Sequence, residues 1–406
     1  MIRCGDSKAC AERWRQMKAI HVCSSIGAWE LITSDGPLSR KVIRTLCMDK
    51  SGGTAHGNYA SLHLKGRFLL EGDHIMKRML SGIKPTGQLH LGNYIGALRH
   101  FVDYQDEYEM FAFIANLHCI TVPQDPAELQ KNLKDCVALY LACGLDPSKA
   151  TIFLQTDVPQ HAQLGYIMCC HTYMGELNRM TQFKDKQAHG ETNLSGGLYT
   201  YPSLMAADIL LYDPDYVPVG DDQKQHVELT RDLAIRMNNR YGDLFRVPEP
   251  LVAKTGARIM SLSNPEKKMS KSDETNKGCI YLLDSEKVAR KKVMSAVTDS
   301  LGHVHFDPVN QPGISNLMQI LSSLQDDRSM ADIEQEFEGK GYGDFKRAVA
   351  DAVCGKLNEI QTRYNEIISS GLIETTLDDG AAKARKIAAV KLEKVQRAIG
   401  MEIIEK

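Results

Sequence analysis

Apolar residues in this chain follow two rhythms. The run 109–115 is apolar and aromatic, and 77–83 and 151–155 each carry an apolar centre, which predicts three short buried strands of a parallel sheet. Between the second and third, 126–143 sets Leu129, Leu133, Val137 and Leu141 at every fourth position and ends at Gly144, the pattern of a helix with a glycine stop. A further helix is expected to leave the turn Pro85-Thr86-Gly87 and run to about 106, and another to cover 161–180. Strand alternating with helix predicts an α/β fold with helices on both sheet faces. Beyond about 284 the strands cease. The stretch 345–368 carries Val349, Val353, Leu357, Ile360, Tyr364 and Ile367 at spacings of three and four, and 381–400 repeats the pattern with Lys383, Arg385, Lys386, Lys391, Lys394 and Arg397 on or near its exposed face. The C-terminal part is therefore expected to be all-helical.

Residues 1–75 do not share these rhythms. They hold both tryptophans, Trp14 and Trp29, and four of the eleven cysteines, with no sustained helical or strand period. Arginines at 3, 13, 15, 40 and 44 fit a transit peptide, but Asp6, Glu12, Glu30 and Asp35 oppose that reading. The segment is expected to be translated upstream sequence or a poorly ordered extension. The remaining composition narrows the choices. A net charge of −2 excludes polyanion binding by bulk charge, so nucleic-acid contact must come from local basic surfaces. No run of eighteen apolar residues predicts a membrane helix. The cysteines are odd in number and form no CxxC pair, which predicts reduced thiols and no zinc site.

Two segments carry candidate chemistry. Gly82-Ile83-Lys84-Pro85-Thr86-Gly87-Gln88-Leu89-His90-Leu91-Gly92-Asn93 joins the first predicted strand to a helix, the place where an open α/β sheet holds a nucleotide. Glycines allow close approach of the main chain, the helix start offers N–H groups, and His90 and Asn93 add neutral donors for phosphate oxygens. Such a turn alone is more often a tight connection than a site. About 180 residues later, after a strand-like 258–262, comes Lys267-Lys268-Met269-Ser270-Lys271-Ser272-Asp273, whose lysines can neutralise charge on a leaving pyrophosphate.

In this order the two segments resemble the HIGH and KMSKS sequences of the class I aminoacyl-tRNA synthetases, with His90-Leu91-Gly92-Asn93 as a HIGH variant. From Met76 onward the resemblance narrows to the tryptophan-specific family of bacterial and mitochondrial type. It is carried by 92–98, Gly-Asn-Tyr-Ile-Gly-Ala-Leu; 175–184, Gly-Glu-Leu-Asn-Arg-Met-Thr-Gln-Phe-Lys; 205–211, Met-Ala-Ala-Asp-Ile-Leu-Leu; 217–226, Val-Pro-Val-Gly-Asp-Asp-Gln-Lys-Gln-His; and 256–262, Gly-Ala-Arg-Ile-Met-Ser-Leu. It implies a Rossmann-like catalytic domain of HUP type at 76–281, followed by a helical anticodon-binding domain at 282–406.

The resemblance also implies a reaction. Tryptophan's carboxylate would attack the α-phosphate of ATP, with Mg²⁺ on the phosphates and no protein metal site, and the adenylate would pass its acyl group to tRNA(Trp). Lys268, Lys271 and Ser270, with His90 and Asn93, would be catalytic. ATP would meet Lys84, Pro85, Thr86, Gly92, Asn93, Lys186, Gly220, Asp221, Asp222, Ile259 and the loop Lys268, Met269, Ser270, Lys271, Ser272. For tryptophan, an indole needs one buried acceptor among apolar walls, and the family places Asp208 there. Met205, Val217 and Val219 would line the ring, and Tyr201, Gln223 and His118 would hold the polar end. Lys84 stands where many relatives have Gln, and Asn116 where they usually have Asp. A cation at 84 alters charge balance and ligand choice. A homodimer in the cytoplasm, or in an organelle matrix, is implied as well. A tyrosyl-type synthetase and a non-catalytic regulatory paralogue are the alternatives; the presence of Lys268 and Lys271 counts against the second.

Overall fold

The computed structural model describes residues 76–85, 87–181, 184, 194–220, 223–252, 258–270 and 277–402, together with four two-residue strands before residue 76. The chain divides into two units, 1–75 and 76–406. In the first, His21–Val22 pairs antiparallel with Trp29–Glu30, and Ile32–Thr33 with Gly36–Pro37. The expectation for 1–75 otherwise lies outside the described residues.

The second unit is built on five parallel strands: β1 (Arg78–Ile83), β2 (Glu109–Ile114), β3 (Thr151–Leu154), β4 (Tyr216–Val219) and β5 (Glu249–Val252). Their order is β3-β2-β1-β4-β5, so the winding reverses between β1 and β4. Those two strands share one register pair, Met79 with Tyr216, whereas β1 and β2 are paired over all six residues. Beyond Met79 the sheet therefore parts at its carboxyl end, where a switch-point crevice belongs. Strands β4 and β5 were not marked by the apolar pattern. Each has four residues and a proline, Pro218 or Pro250, which cannot donate to a ladder and hides the strand signal.

Helices cover both faces. The helical run α1 (91–107) comprises Leu91–Asn93, a π-helical stretch Tyr94–Leu98, and Arg99–Glu107. Then follow α2 (Pro126–Ala142), α3 (Gln160–His171), α4 (Met174–Leu177), α5 (Gly196–Leu210) and α6 (Lys224–Tyr241). The helix expected over 161–180 is two pieces. At the break the Thr172 hydroxyl bonds back to the Met168 carbonyl at 2.8 Å and to Ser203 Oγ at 2.9 Å, and Tyr173 turns extended before α4. The strand-like 258–262 is not a strand either. Met260 forms a single bridge with Lys268, and its N–H and C=O are both taken by the Asn316 side chain, at 2.8 and 2.9 Å.

The C-terminal elements are α7 (Glu286–Met294), α8 (Pro312–Leu324), α9 (Met330–Glu336), α10 (Tyr342–Ser370) and α11 (Leu372–Ala398). Phe345, Val349, Val353, Leu357 and Ile360 of α10 share one apolar core with Leu91, Ile95, Ile114 and Tyr140. Ala381, Ala384, Ala388, Leu392 and Val395 of α11 join the core on the other face, with Phe111, Phe153 and Tyr212. Contact there is close: a β-carbon on Gly380 would fall 1.8 Å from the Ile152 carbonyl oxygen of β3, so only glycine lets the helix lie this near the strand. Several basic residues of α11 are tied to backbone carbonyls of neighbouring loops, although only Lys391 is buried. Arg385 donates to the Asp157 carbonyl at 2.5 Å, Lys391 to the Leu244 carbonyl at 2.7 Å and to Asp213, and Lys394 to the Asp243 carbonyl at 2.5 Å. Among the described residues, no helix is long and apolar enough to cross a membrane.

Candidate active site

At the parting of β1 and β4 lies a cavity of about 420 Å³, within the usual range for small-molecule sites. The end of β1 and its turn contribute Gly82, Ile83 and Lys84; β4 contributes Val217, Pro218, Val219 and then Gly220. Gly82 is dictated by packing, since a β-carbon there would meet the Phe113 ring at 2.4 Å. Val217 and Val219 stand two apart and so share a face of β4. Helix α5 opens with Ser195 accepting from the Leu198 N–H at 3.1 Å, and carries Tyr201, Met205 and Asp208 at spacings of four and three, on one side of the helix. All three line the cavity, with His118 from the segment after β2 and Gln223 from the start of α6.

Asp208 has no exposed surface, yet its carboxylate is well supplied with donors. Oδ1 receives Gln155 Nε2 at 2.7 Å and His161 Nδ1 at 2.7 Å; Oδ2 meets His118 Nε2 at 2.7 Å. Burial opposes ionisation, but the contacts with His118 and then His161 outweigh it and hold the carboxyl at about 2. His161 Nε2 in turn meets the Tyr212 hydroxyl at 2.8 Å. Gln155 and His161 are fully buried and do not line the cavity, whereas His118 does. Oδ1 therefore faces the protein interior and Oδ2 the cavity. A carboxylate has about four acceptor positions; three are used, and the one left is on Oδ2. Tyr201 is fixed similarly, its hydroxyl 2.5 Å from His226 Nε2, with burial raising its proton affinity.

At the mouth, Asn93 lines the cavity while its Oδ1 accepts the His90 N–H at 3.1 Å, which leaves its NH₂ as a donor. The α1 start is pinned by Leu91 N–H to the Ile280 carbonyl at 2.8 Å. The lysine loop reaches the same place. Met269 is 2% exposed, donates its N–H to the Ile259 carbonyl at 3.0 Å, and lies against Gly92, while Lys268 and Ser270 on either side of it are exposed. Two motifs far apart in sequence thus meet at one end of the cavity.

A family model described as tRNA synthetases class I (W and Y) matches residues 75–357, well over half of the chain. The chain belongs to that family. It is 53% identical over 326 residues to a tryptophan--tRNA ligase of Bacillus anthracis, covering 80% of this chain and 98% of that one. A tryptophanyl-tRNA synthetase of Mycoplasma pneumoniae superposes with a TM-score of 0.74 at 41% identity, over 80% of this chain and 98% of its own. The Campylobacter jejuni tryptophanyl-tRNA synthetase, complexed with ADP and tryptophan, does so at 0.70 and 39%, over 80% and 99%. Relatives this near make the activity that of a tryptophan--tRNA ligase, and the chain an enzyme of the aminoacyl-tRNA synthetase class.

Within this class I synthetase, all seven residues anticipated for tryptophan, Asp208, Tyr201, Met205, His118, Val217, Val219 and Gln223, line one cavity. Of the ATP set, Lys84, Asn93 and Gly220 line it as well. Pro85, Gly92, Ile259, Lys268, Met269 and Ser270 do not, nor does His90, anticipated as catalytic; His90 is 5% exposed, and Ile259 and Met269 are buried. Thr86, Lys186, Asp221, Asp222, Lys271 and Ser272 lie outside the described residues. Asn116 bonds Thr156, side chain to side chain at 2.8 Å, and does not line the cavity. Gln155 and His161, which hold Asp208, were not singled out from the sequence. Only Pro159-Gln160-His161 opening a helix after a strand marked the neighbourhood, and it says nothing of a partner 47 residues on.

Proposed function

We propose that tryptophan binds with its indole N–H on Asp208 Oδ2 and its ring between Met205, Val217 and Val219, its polar end toward Tyr201, Gln223 and Lys84. The observation that carries this reading is the single unused acceptor position on an otherwise saturated, buried, ionised carboxylate. Phenylalanine offers no donor to that position, and leaving a buried acceptor unpaired is costly. Tyrosine's hydroxyl extends from the wrong place on a smaller ring. Selectivity of this kind requires no editing site.

ATP then enters at the mouth, where Lys84, Asn93, the main chain of Gly220 and the loop that begins at Lys268 surround its phosphates. The tryptophan carboxylate attacks the α-phosphate and pyrophosphate departs, so no side chain forms a covalent bond. The protein's part is alignment and stabilisation of phosphate charge by Lys268 and Lys271. Among the described residues no three His, Cys, Asp or Glu side chains converge to hold a metal, and Mg²⁺ carried on ATP is suited to phosphate and water ligands. In the second step the terminal ribose hydroxyl of tRNA(Trp) attacks the acyl carbon, the acyl–phosphate bond breaks and AMP leaves. Residues 282–406 are assigned to anticodon contact; Lys391 is buried, so phosphate contact on α11 falls to its exposed cations, such as Lys386.

A homodimer in a cytoplasmic setting completes the reading. Tyr173 and Met174, adjacent in the chain, and Ile120 and Tyr166 are each more than 60% exposed, large apolar side chains that a second copy would cover. Tyr199 donates to the Met174 carbonyl at 3.2 Å, and the Arg236 guanidinium lies 4.1 Å over the Tyr173 ring, so Tyr173 and Met174 are held in place. The test of the activity is amino-acid-dependent ATP–pyrophosphate exchange on the full chain and on 76–406. Exchange with tryptophan and not with tyrosine supports the reading; exchange with tyrosine overturns it.

A further inference from the structure

Gln155 sits at the first position of a 3-10 turn, 155–157, that follows β3. It is completely buried, and both ends of its amide are in use. Nε2 donates to Asp208 Oδ1 at 2.7 Å, and Oε1 accepts the N–H of Leu117 at 3.0 Å. The partners fix the sense of the amide, since a main-chain N–H can only donate and a carboxylate can only accept. Leu117 directly precedes His118, whose ring returns to Asp208 on the other oxygen. A closed circuit results: Asp208 Oδ1, the Gln155 amide, the Leu117 backbone, His118, Asp208 Oδ2. A carboxylate held at both oxygens from two directions cannot rotate about its own axis, and the segment bearing His118 cannot move without moving it.

We propose that Gln155 is a positioning residue for tryptophan selectivity: it fixes the plane of the Asp208 carboxylate and the place of His118 together, so that the last acceptor position on Oδ2 points at the indole nitrogen. This rests on the reading of Asp208 given above. Gln155 touches no substrate; it acts through the two residues that do. His161 cannot substitute for it, because His161 holds the same Oδ1 and has no contact with the 117–118 backbone. Two substitutions separate the arms of the circuit. Gln155→Met fills the volume and loses both bonds. Gln155→Glu keeps an acceptor for the Leu117 N–H and replaces the neutral amide donor by a carboxyl that, buried beside the Asp208 carboxylate, shares a proton with it, so that its donor is present at low pH and lost as pH rises.

The experiment measures kcat/KM in pyrophosphate exchange for tryptophan and for β-(3-benzothienyl)alanine, in which sulfur replaces the indole N–H, with the full-length chain. The expected result is a fall of roughly tenfold in preference for tryptophan in Gln155→Met, the scale of one hydrogen bond to a charged group, and in Gln155→Glu a fall that grows as pH rises, with the KM for ATP unchanged in both. In an Asp208→Asn background, Gln155→Met adds no further loss of preference, because the two act on one contact. An unchanged preference in both Gln155 variants, with Asp208→Asn still losing it, overturns the role of Gln155 and leaves the indole contact standing. An unchanged preference in Asp208→Asn overturns the contact itself, and the role of Gln155 with it. Far-ultraviolet circular dichroism and melting temperature identify a variant that has not folded, in which case Gln155→Glu, which keeps the Leu117 bond, carries the test.

Discussion

Met269 lies against Gly92, its Cβ 3.6 Å from where a β-carbon on that glycine would stand. This contact joins the start of α1 to the lysine loop and leaves Lys268 and Ser270 exposed on either side of a buried anchor. A methyl group at Gly92 would also meet the His90 ring at 3.1 Å. Because 3.6 Å is ordinary van der Waals contact, Gly92→Ala is expected to leave Met269 in place and to press on the His90 ring, shifting the start of α1 and lowering exchange kcat, with a stability loss of about 1 kcal/mol, the low end for overpacking. Kinetics and thermal unfolding measured together check it. Unaltered kcat would mean that the His90 ring gives way without moving the start of α1.

Loss of a loop cation should act on turnover rather than on binding. Lys271→Ala is expected to lower kcat of exchange by roughly 10²-fold, the scale for removing a contact to charge that develops in the transition state. A rise in the KM for ATP with kcat preserved would reassign the lysine to ground-state binding.

Asp208 makes stability depend on pH in a defined direction. Its carboxyl titrates at about 2 in the folded chain, against about 3.9 in an unfolded one. The folded value is depressed, so the stabilisation is present above about pH 4 and is lost as pH falls toward 2. It amounts to roughly 2–3 kcal/mol by linkage. Denaturant unfolding of the wild type and of Asp208→Asn at a series of pH values should show the wild type losing stability faster over that interval. Parallel losses would mean that the carboxylate is not held ionised by His118 and His161.

Lys84 puts an exposed cation on the cavity wall. If it meets the substrate's carboxylate, Lys84→Gln should weaken tryptophan about tenfold, as for loss of a charge-assisted hydrogen bond, and leave tryptamine, which has no carboxylate, nearly unaffected. Because both tryptophans of the chain precede Met76, ligand fluorescence can be followed directly with residues 76–406. An equal loss for both ligands would place Lys84 elsewhere in the binding scheme.

What the sequence disclosed follows from how far each feature reaches along the chain. Strands β1, β2 and β3 and helix α10 declare themselves through periods visible within a few residues. So do the turn into α1 and the lysine loop, where glycines and repeated charges are adjacent. The face formed by Tyr201, Met205 and Asp208 was legible through the family likeness and is explained by helical spacing. Strands β4 and β5 were hidden by Pro218 and Pro250. The break at Thr172 depends on Ser203, 31 residues away, and the clamp on Asp208 depends on Gln155, 53 residues before it. Such ties leave no local pattern. The cations of α11 read as a solvated or nucleic-acid-facing stripe, because nothing in 381–400 reveals that Arg385 and Lys391 end on carbonyls of residues 157 and 244.

The central claim is that tryptophan lies in the β1–β4 crevice with its indole nitrogen on Asp208. A crystal structure of the enzyme with a non-hydrolysable sulfamoyl analogue of tryptophanyl-adenylate tests it most directly. The account predicts the indole nitrogen at about 2.9 Å from Asp208 Oδ2, the ring between Met205 and Val217, and the sulfamoyl group at the mouth beside Lys84 and Asn93. An indole nitrogen directed away from Asp208, or the ring seated outside this cavity, would contradict it.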